Sequence, residues 1–307
     1  MYLKFDLIHL TGSSGFIGKS IRNILDIQGY RVIGYDFHPA SVITHKPEEL
    51  FENLKAYESR SQVVLHFGAV ASTSNKHSHL ISTRNIDYTS KLASFCSGRR
   101  IPVVFASSAA VYGSDMRLIS EVNPQGQYGE SKLAGEDSLT SSFKNTLSDL
   151  VILRLFNVYG SDEVKKAEMM SIPSRFIIDG ITRRKVQIWN SKEITGQSRD
   201  FIYVRDIAEI VLRILEQHPW NEVLMDVGTG DPWSFEKVAS LVSAKNSSLI
   251  EHVNFPDLIN PANYQVFTRA NTTNLEKVIG KFVFSRLDCN FDSIWDFYSQ
   301  HSKELTF

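Results

Sequence analysis

Strongly apolar runs recur along the chain at Phe5–Leu10, Arg31–Tyr35, Val63–Phe67, Val103–Ala106, Val151–Leu155 and Val223–Val227. Between them, Ile17–Ile27, Leu80–Cys96, Ser131–Phe143 and Val204–Leu215 place apolar residues at helical spacing. Continuous rather than alternating runs suit strands covered on both faces, and strands alternating with helices predict a parallel, doubly wound α/β sheet. The regularity loosens after Gly160, where residues 161–198 and 231–307 carry helical pieces, polar loops and aromatics, while Arg199–Thr229 returns to strand and helix. The pattern predicts one domain over residues 1–160 plus 199–230 and a smaller carboxyl-terminal α/β lobe over 161–198 plus 231–307. That lobe is expected beside the carboxyl ends of the strands, where doubly wound sheets bind ligands.

The first strand runs into Thr11-Gly12-Ser13-Ser14-Gly15-Phe16-Ile17-Gly18 and then a helix, the context that a dinucleotide-binding loop requires. Gly12 permits the tight turn, Gly15 lets backbone approach a pyrophosphate, Gly18 allows close helix packing, and the helix amino terminus supplies the anion site. The sheet is therefore expected to be Rossmann-type. Asp36 closes the second strand 18 residues after Gly18, where a carboxylate can accept hydrogen bonds from the adenosine ribose. This favours NAD. Phe37-His38-Pro39-Ala40 offers neither Arg nor Lys to a 2′-phosphate, so NADP ranks second.

Tyr128 and Lys132 form a YxxxK pair. On a helix, residues i and i+4 share a face, so the ammonium can lie near a phenol whose ordinary pKa is about 10. A fixed positive charge favours the phenolate and turns a poor base into one able to accept a hydroxyl proton. Ser107 and Ser108 follow the strand Val103–Ala106, which puts their hydroxyls at a carboxyl end of the sheet, with Ser108 as the natural partner of Tyr128 and of a reacting oxygen. The chemistry indicated is oxidation of an alcohol.

Composition narrows the field. With 307 residues, 42% hydrophobic, and a formal net charge of -1, the chain gives no electrostatic case for nucleic acid or an anionic membrane. Cys96 and Cys289 stand far apart without a metal-ligand pattern, so neither a disulfide framework nor a metal site is expected and a reducing cytoplasm fits. No apolar run approaches the roughly 20 residues a membrane helix needs, and Met1–Leu10 reads as a strand rather than a signal peptide.

Taken together, Gly12, Gly15, Gly18, Asp36, Ser108, Tyr128 and Lys132 resemble the extended short-chain dehydrogenase/reductase family, whose members act on nucleotide sugars. The resemblance covers the chain: Phe67-Gly68-Ala69 matches the turn under the nicotinamide, Asn85 a helix asparagine, Phe156-Asn157-Val158-Tyr159-Gly160 a substrate-facing strand end, and Arg199-Asp200-Phe201-Ile202-Tyr203-Val204 a further shared stretch. It implies cofactor contacts from Phe16, Ile17, Ser107 and Val158 as well, and a substrate diphosphate held by Arg199 and Asn157, a task suited to a guanidinium's fork of donors. It also implies self-association through helices near residues 80–97 and 131–145.

Within that family the likeness runs furthest toward the ADP-L-glycero-D-manno-heptose 6-epimerases. It is carried by Leu65–Ser74, by Ile101-Pro102 with Ala106–Ala110, and by Tyr264–Leu275. By that resemblance Ser72 and Arg175 face the sugar, Tyr264 touches the nucleotide, Trp189 and Asn190 line its base, and Lys166 is a second base. Where those enzymes have a small serine this chain has Glu168, where they have a histidine it has Arg175, and Ser161 stands for a proline. The aspartate–aliphatic pair that usually borders adenine is missing between Asp36 and Val63. The expected activity is nucleotide-sugar epimerisation by transient oxidation. A 4-epimerase or keto-reductase, and more remotely a non-catalytic NAD(P)-sensing protein, are the alternatives. Dehydration is disfavoured because Ala109-Ala110 replaces the Asp-Glu of the family's dehydratases.

Overall fold

A computed structural model describes residues 4–37, 44–58, 60–71, 78–114, 121–191, 194–256 and 264–301. The strands are β1 (Leu7–Thr11), β2 (Val32–Tyr35), β3 (Thr44–His45), β4 (Gln62–His66), β5 (Val103–Ser108), β6 (Leu150–Leu155), β7 (Asn157–Tyr159), β8 (Lys185–Asn190), β9 (Ser198–Arg199), β10 (Phe201–Tyr203), β11 (Glu222–Val227), β12 (Trp233–Ser234) and β13 (Leu249–Asn254). The helices are α1 (Phe16–Ile27), α2 (Glu49–Ala56), α3 (Ser78–Ile81), α4 (Tyr88–Arg99), α5 (Gln127–Phe143), α6 (Ile172–Arg183), α7 (Val204–Glu216), α8 (Phe235–Asn246), α9 (Thr273–Ile279) and α10 (Leu287–Gln300).

Seven parallel strands form the main sheet in the order β11-β6-β5-β4-β1-β2-β3. Chain order reverses between β1 and β4, so the crevice at their carboxyl ends is the switch point where ligands of such sheets bind. One face is covered by α1, α7 and α9, with Ile21, Leu25, Ile207, Val211, Ile214 and Leu275 buried against β1 and β6. The other is covered by α2, α4 and α5 through Leu50, Leu92 and Leu139. Each such aliphatic side chain contributes about 1.5–3 kcal/mol on burial, which explains why strands apolar on both faces settle at the centre of the molecule.

A second core joins α6, α8 and α10 to β8, around Phe176, Ile178, Val186, Val238, Phe291 and Trp295. Local sequence starts its helices: Ser171 and Ser234 cap α6 and α8 by accepting the N–H groups of Ser174 and Lys237. The packing crosses the pattern-based boundary in both directions: Tyr159 and Phe201, expected in the larger domain, lie in the second core. Leu275, Ile279 and Phe282, expected in the smaller lobe, lie in the core of the main sheet, because α9 packs on α7 and β11 and not on the second core. Among the described residues no helix is long and apolar enough to cross a membrane.

Two histidines are buried in the sheet itself. His9 on β1 hydrogen-bonds Tyr35 and Gln62, each at 2.8 Å. His66 on β4 hydrogen-bonds Thr11 at 2.7 Å and Thr89 at 3.0 Å.

Candidate active site

The loop from β1 to α1 is drawn as tightly as its glycines allow. Gly12 has φ +71°, and a Cβ there would meet the Gly68 nitrogen at 2.7 Å, while one on Gly18 would meet the Gly12 carbonyl oxygen at 2.0 Å. Gly15 caps α1 in extended conformation with no side-chain cap, and the first turn, which holds Phe16, Ile17 and Gly18, carries no acidic residue. Unpartnered first-turn N–H groups in a helix of this length, approached by bare backbone, fit a diphosphate. Asp36 accepts the Ser14 N–H at 3.0 Å, which ties the second strand to this loop.

Across the crevice, the Gly68 N–H donates to Thr11 Oγ1 at 3.0 Å, so Phe67-Gly68-Ala69 lies against the glycine loop. Asn85 sits in a π-helical turn, Ser82–Asp87, between α3 and α4. Its amide accepts the Val70 N–H at 2.8 Å and donates to the Val70 carbonyl at 3.0 Å and to Ser131 Oγ at 3.1 Å. Expected as a direct cofactor contact, it is placed as the clamp of the segment that follows β4.

Ser108, Tyr128 and Lys132 come together. Ser108 ends β5, where its Oγ accepts the Ala110 N–H at 3.2 Å and also pairs with the Tyr128 hydroxyl. Tyr128 and Lys132 share a face of α5, with the ammonium 6.0 Å from the phenol ring. Lys132 Nζ donates to the Ala106 carbonyl at 2.7 Å. Burial lowers its pKa to about 8, opposed by the Glu136 carboxylate one turn further along α5. Tyr128 is shifted up, because burial penalises the phenolate more than Ser108 relieves it. The downward shift expected from Lys132 is thus not produced by the protein's own groups, since the ammonium is held on Ala106. An oxidised nicotinamide held beside Tyr128 would supply a positive charge there.

Ser107 turns away from this site and donates to Glu136 at 2.5 Å. Glu136 in turn accepts two hydrogen bonds from Arg154, at 3.0 and 2.6 Å. The Arg154 guanidinium lies 4.8 Å over the Tyr112 ring, Tyr112 donates to Asp226 at 2.6 Å, and Asp226 accepts the Asn271 N–H at 3.0 Å. Sequence reading missed this buried chain, although Glu136 stands four residues after Lys132 on the same helix.

On the second-lobe side, Asn157 donates to the Asp200 carbonyl at 3.2 Å and to Thr268 Oγ1 at 2.9 Å, and accepts from Arg199 at 3.4 Å. Val158 follows it in β7 and packs against the main core. Arg199 also donates to the Gln265 carbonyl, but its buried Nε has no partner among the described residues. Arg175 lies 4.5 Å over the Trp189 ring and Arg199 5.1 Å over Tyr264. Burial lowers the pKa of both, and Arg175 lowers that of Arg199 further. Among the described residues neither has a carboxylate within ion-pair distance. Asp179, one turn further along α6, is the acidic side chain that acts on Arg175, and two half-buried guanidiniums that repel each other make a site suited to an anion. Beside them Trp189, Phe255 and Tyr264 form an aromatic cluster, with centroids 6.0, 6.3 and 4.9 Å apart. Phe255 lacked any local sequence signal, and Asn190 pairs with His252 at 2.6 Å.

Lys166 does not stand free at the site. It is ion-paired with the buried Glu163 at 2.8 Å and lies 4.1 Å over the Phe16 ring. Ser72 and the side chain of Glu168 lie outside the described residues.

The profile of the NAD dependent epimerase/dehydratase family matches residues 8–225, and the chain belongs to that family. It is accordingly an NAD-dependent enzyme of the epimerase/dehydratase type. Among solved structures it is similar to UDP-N-acetylglucosamine 4-epimerase from Methanobrevibacter ruminantium M1, in complex with UDP-N-acetylmuramic acid. That match has 22% identity and a TM-score of 0.81, covering 96% of this chain and 99% of that one. It is also similar to UDP-glucose 4-epimerase from Thermotoga maritima, determined with UDP-glucose, at 20% identity and TM-score 0.78, over 96% and 99% of the two chains. Helicobacter pylori ADP-L-glycero-D-manno-heptose-6-epimerase matches at 19% identity and TM-score 0.75, over 98% and 97%. At these identities the likeness shows the fold.

Proposed function

We propose that the chain is an NAD-dependent nucleotide-sugar epimerase that works by transient oxidation to a keto-sugar. The observation carrying this reading is the placement of Ser108, Tyr128 and Lys132 at the sheet's carboxyl edge together with Arg175 and Arg199, neither of which has a carboxylate within ion-pair distance among the described residues.

In this reading Arg199 and Arg175 hold the substrate diphosphate, Asn157 orients Arg199, and Trp189, Phe255 and Tyr264 pack on the nucleotide base. Ser108 hydrogen-bonds the reacting hydroxyl, and Tyr128 takes its proton. Lys132 holds a positive charge beneath the ring and binds the nicotinamide ribose. Gly12, Gly15, Gly18, Phe16 and Ile17 hold the cofactor diphosphate, Asp36 takes the adenosine ribose, and Phe67, Gly68, Ala69 and Val158 line the nicotinamide side. NAD held by these residues would supply a hydride acceptor and donor for inversion at one carbon. Ser107 and Asn85 act through the elements they fix. Tyr128 gives back the proton it took when the keto oxygen is reduced again, and Lys166, whose ammonium is bound to Glu163, is not needed for that step.

The best candidate substrate is an ADP-glycero-manno-heptose, supported by the Tyr264–Leu275 stretch. A UDP-hexose 4-epimerase is the second reading, favoured by Arg175, which brings a guanidinium where the heptose enzymes have a histidine. Incubation of the purified protein with ADP-, GDP-, UDP- and dTDP-sugars, followed by proton NMR, tests both. Inversion without net NADH formation supports an epimerase, stoichiometric NADH consumption indicates a reductase, and no conversion of any ADP-sugar removes the heptose.

A further inference from the structure

Glu163 is fully buried, and its carboxylate accepts five hydrogen bonds. They come from the Gly160 N–H at 3.1 Å, the Ser171 N–H at 2.9 Å, Ser171 Oγ at 2.8 Å, Ser174 Oγ at 2.7 Å and Lys166 Nζ at 2.8 Å. Displacing such a group leaves several donors unpaired at once, so it is a fixed anchor. What it anchors lies across the first turns of α1. Lys166 Nζ is 4.1 Å from the Phe16 ring centroid, Asp162 is 3.4 Å from Lys19 Nζ, and a Cβ on Gly160 would meet Phe16 Cζ at 3.2 Å. Residues 160–166 therefore strap the helix end at which the glycine loop offers its N–H groups.

We infer that Lys166 is a cofactor-retention residue: Glu163 holds its ammonium over Phe16, at the mouth of the diphosphate site, where its charge opposes release of NAD. This rests on the epimerase reading, because an enzyme that reduces and reoxidises one nicotinamide within each turnover gains from never letting it go. It also explains why the lysine is tied to a buried carboxylate. A proton-transfer base needs a free lone pair at the sugar, whereas a retention charge needs a fixed position. Glu163 is then a positioning residue, and Phe16 is the surface on which the ammonium rests.

The test is the release of NADH from preloaded protein, followed by nicotinamide fluorescence after dilution. Lys166→Met releases NADH at least tenfold faster than the parent, Lys166→Arg stays near the parent, and Asp162→Ala, on the exposed part of the strap, gives a smaller acceleration. Raising salt speeds release from the parent more than from Lys166→Met. Epimerisation by Lys166→Met recovers when free NAD is added. Unchanged NADH release in Lys166→Met overturns the inference. If epimerisation is also lost there and free NAD does not restore it, Lys166 belongs to proton transfer. NADH release needs no sugar, so it still reads the strap if no nucleotide sugar is converted and the proposed function falls.

Discussion

At the scale of single residues, the proposed base is a phenol that burial shifts up, next to an ammonium that burial shifts toward neutrality. The two meet their task only as a pair, and each sets one limb of the pH dependence. Activity rises with pH as Tyr128 becomes able to accept a proton in the cofactor-bound enzyme. It falls again above about 8, where Lys132 loses its charge. Glu136 is the group that holds the Lys132 value up, so Glu136→Gln moves the alkaline limb to lower pH, read from initial rates between pH 6 and 10. An unmoved limb would assign that limb to another group. Tyr128→Phe keeps the ring but removes the proton acceptor. Its expected effect is a loss of about 10²–10⁴ in kcat with NAD still bound, and retained turnover would exclude Tyr128 as the base.

At the scale of elements, the six apolar runs read from sequence are the six longest strands of the main sheet, each within two residues at either end. The dinucleotide loop and the YxxxK helix were legible because their chemistry depends on contiguous spacing. The two-residue β3 was not, being too short to show a period, nor was α2, whose apolar face is only Leu50, Phe51 and Leu54. The Leu80–Cys96 helix is broken by its π-turn, which places Asn85 against Val70. Sequence could not show that Ser107 faces Glu136, or that Lys166 is held by Glu163, because both depend on which way side chains point across distant segments.

The sheet also carries an acid sensitivity that follows from its two interior histidines. Burial lowers His9 to about 4 and His66 to about 3 from an ordinary value near 6.5. Below pH 6.5 the unfolded chain takes up protons that the folded sheet refuses, so stability is lost as pH falls toward those values. By pH 5 each withdraws about 2 kcal/mol. Urea unfolding at pH 7 and pH 5 should show this loss, with a smaller slope in His66→Gln; equal slopes would mean that His66 is charged or solvated in the folded state.

At the scale of the whole molecule, Asp200 is the joint. Its carboxylate accepts from the Thr229 N–H and Oγ1, the Gly230 N–H and the Ala270 N–H, at 2.6–2.9 Å. Its backbone carbonyl receives Asn157. Asp200→Ala strands these donors and is expected to cost about 4 kcal/mol or more in chemical denaturation. It should also raise KM for the nucleotide sugar through Arg199; a loss under 1 kcal/mol would show that water replaces the carboxylate without penalty. Joints of this kind are needed because the chain passes repeatedly between the two cores, and α10 alone supplies Leu287, Phe291, Ile294, Trp295 and Tyr298 to the second. During synthesis the cofactor-side sheet has all its strands once residue 227 has been made. The substrate side has to wait, half-built and exposing aromatic surface, for a helix some sixty residues later. In the cell, that interval is when the nascent chain is most open to chaperones and to aggregation.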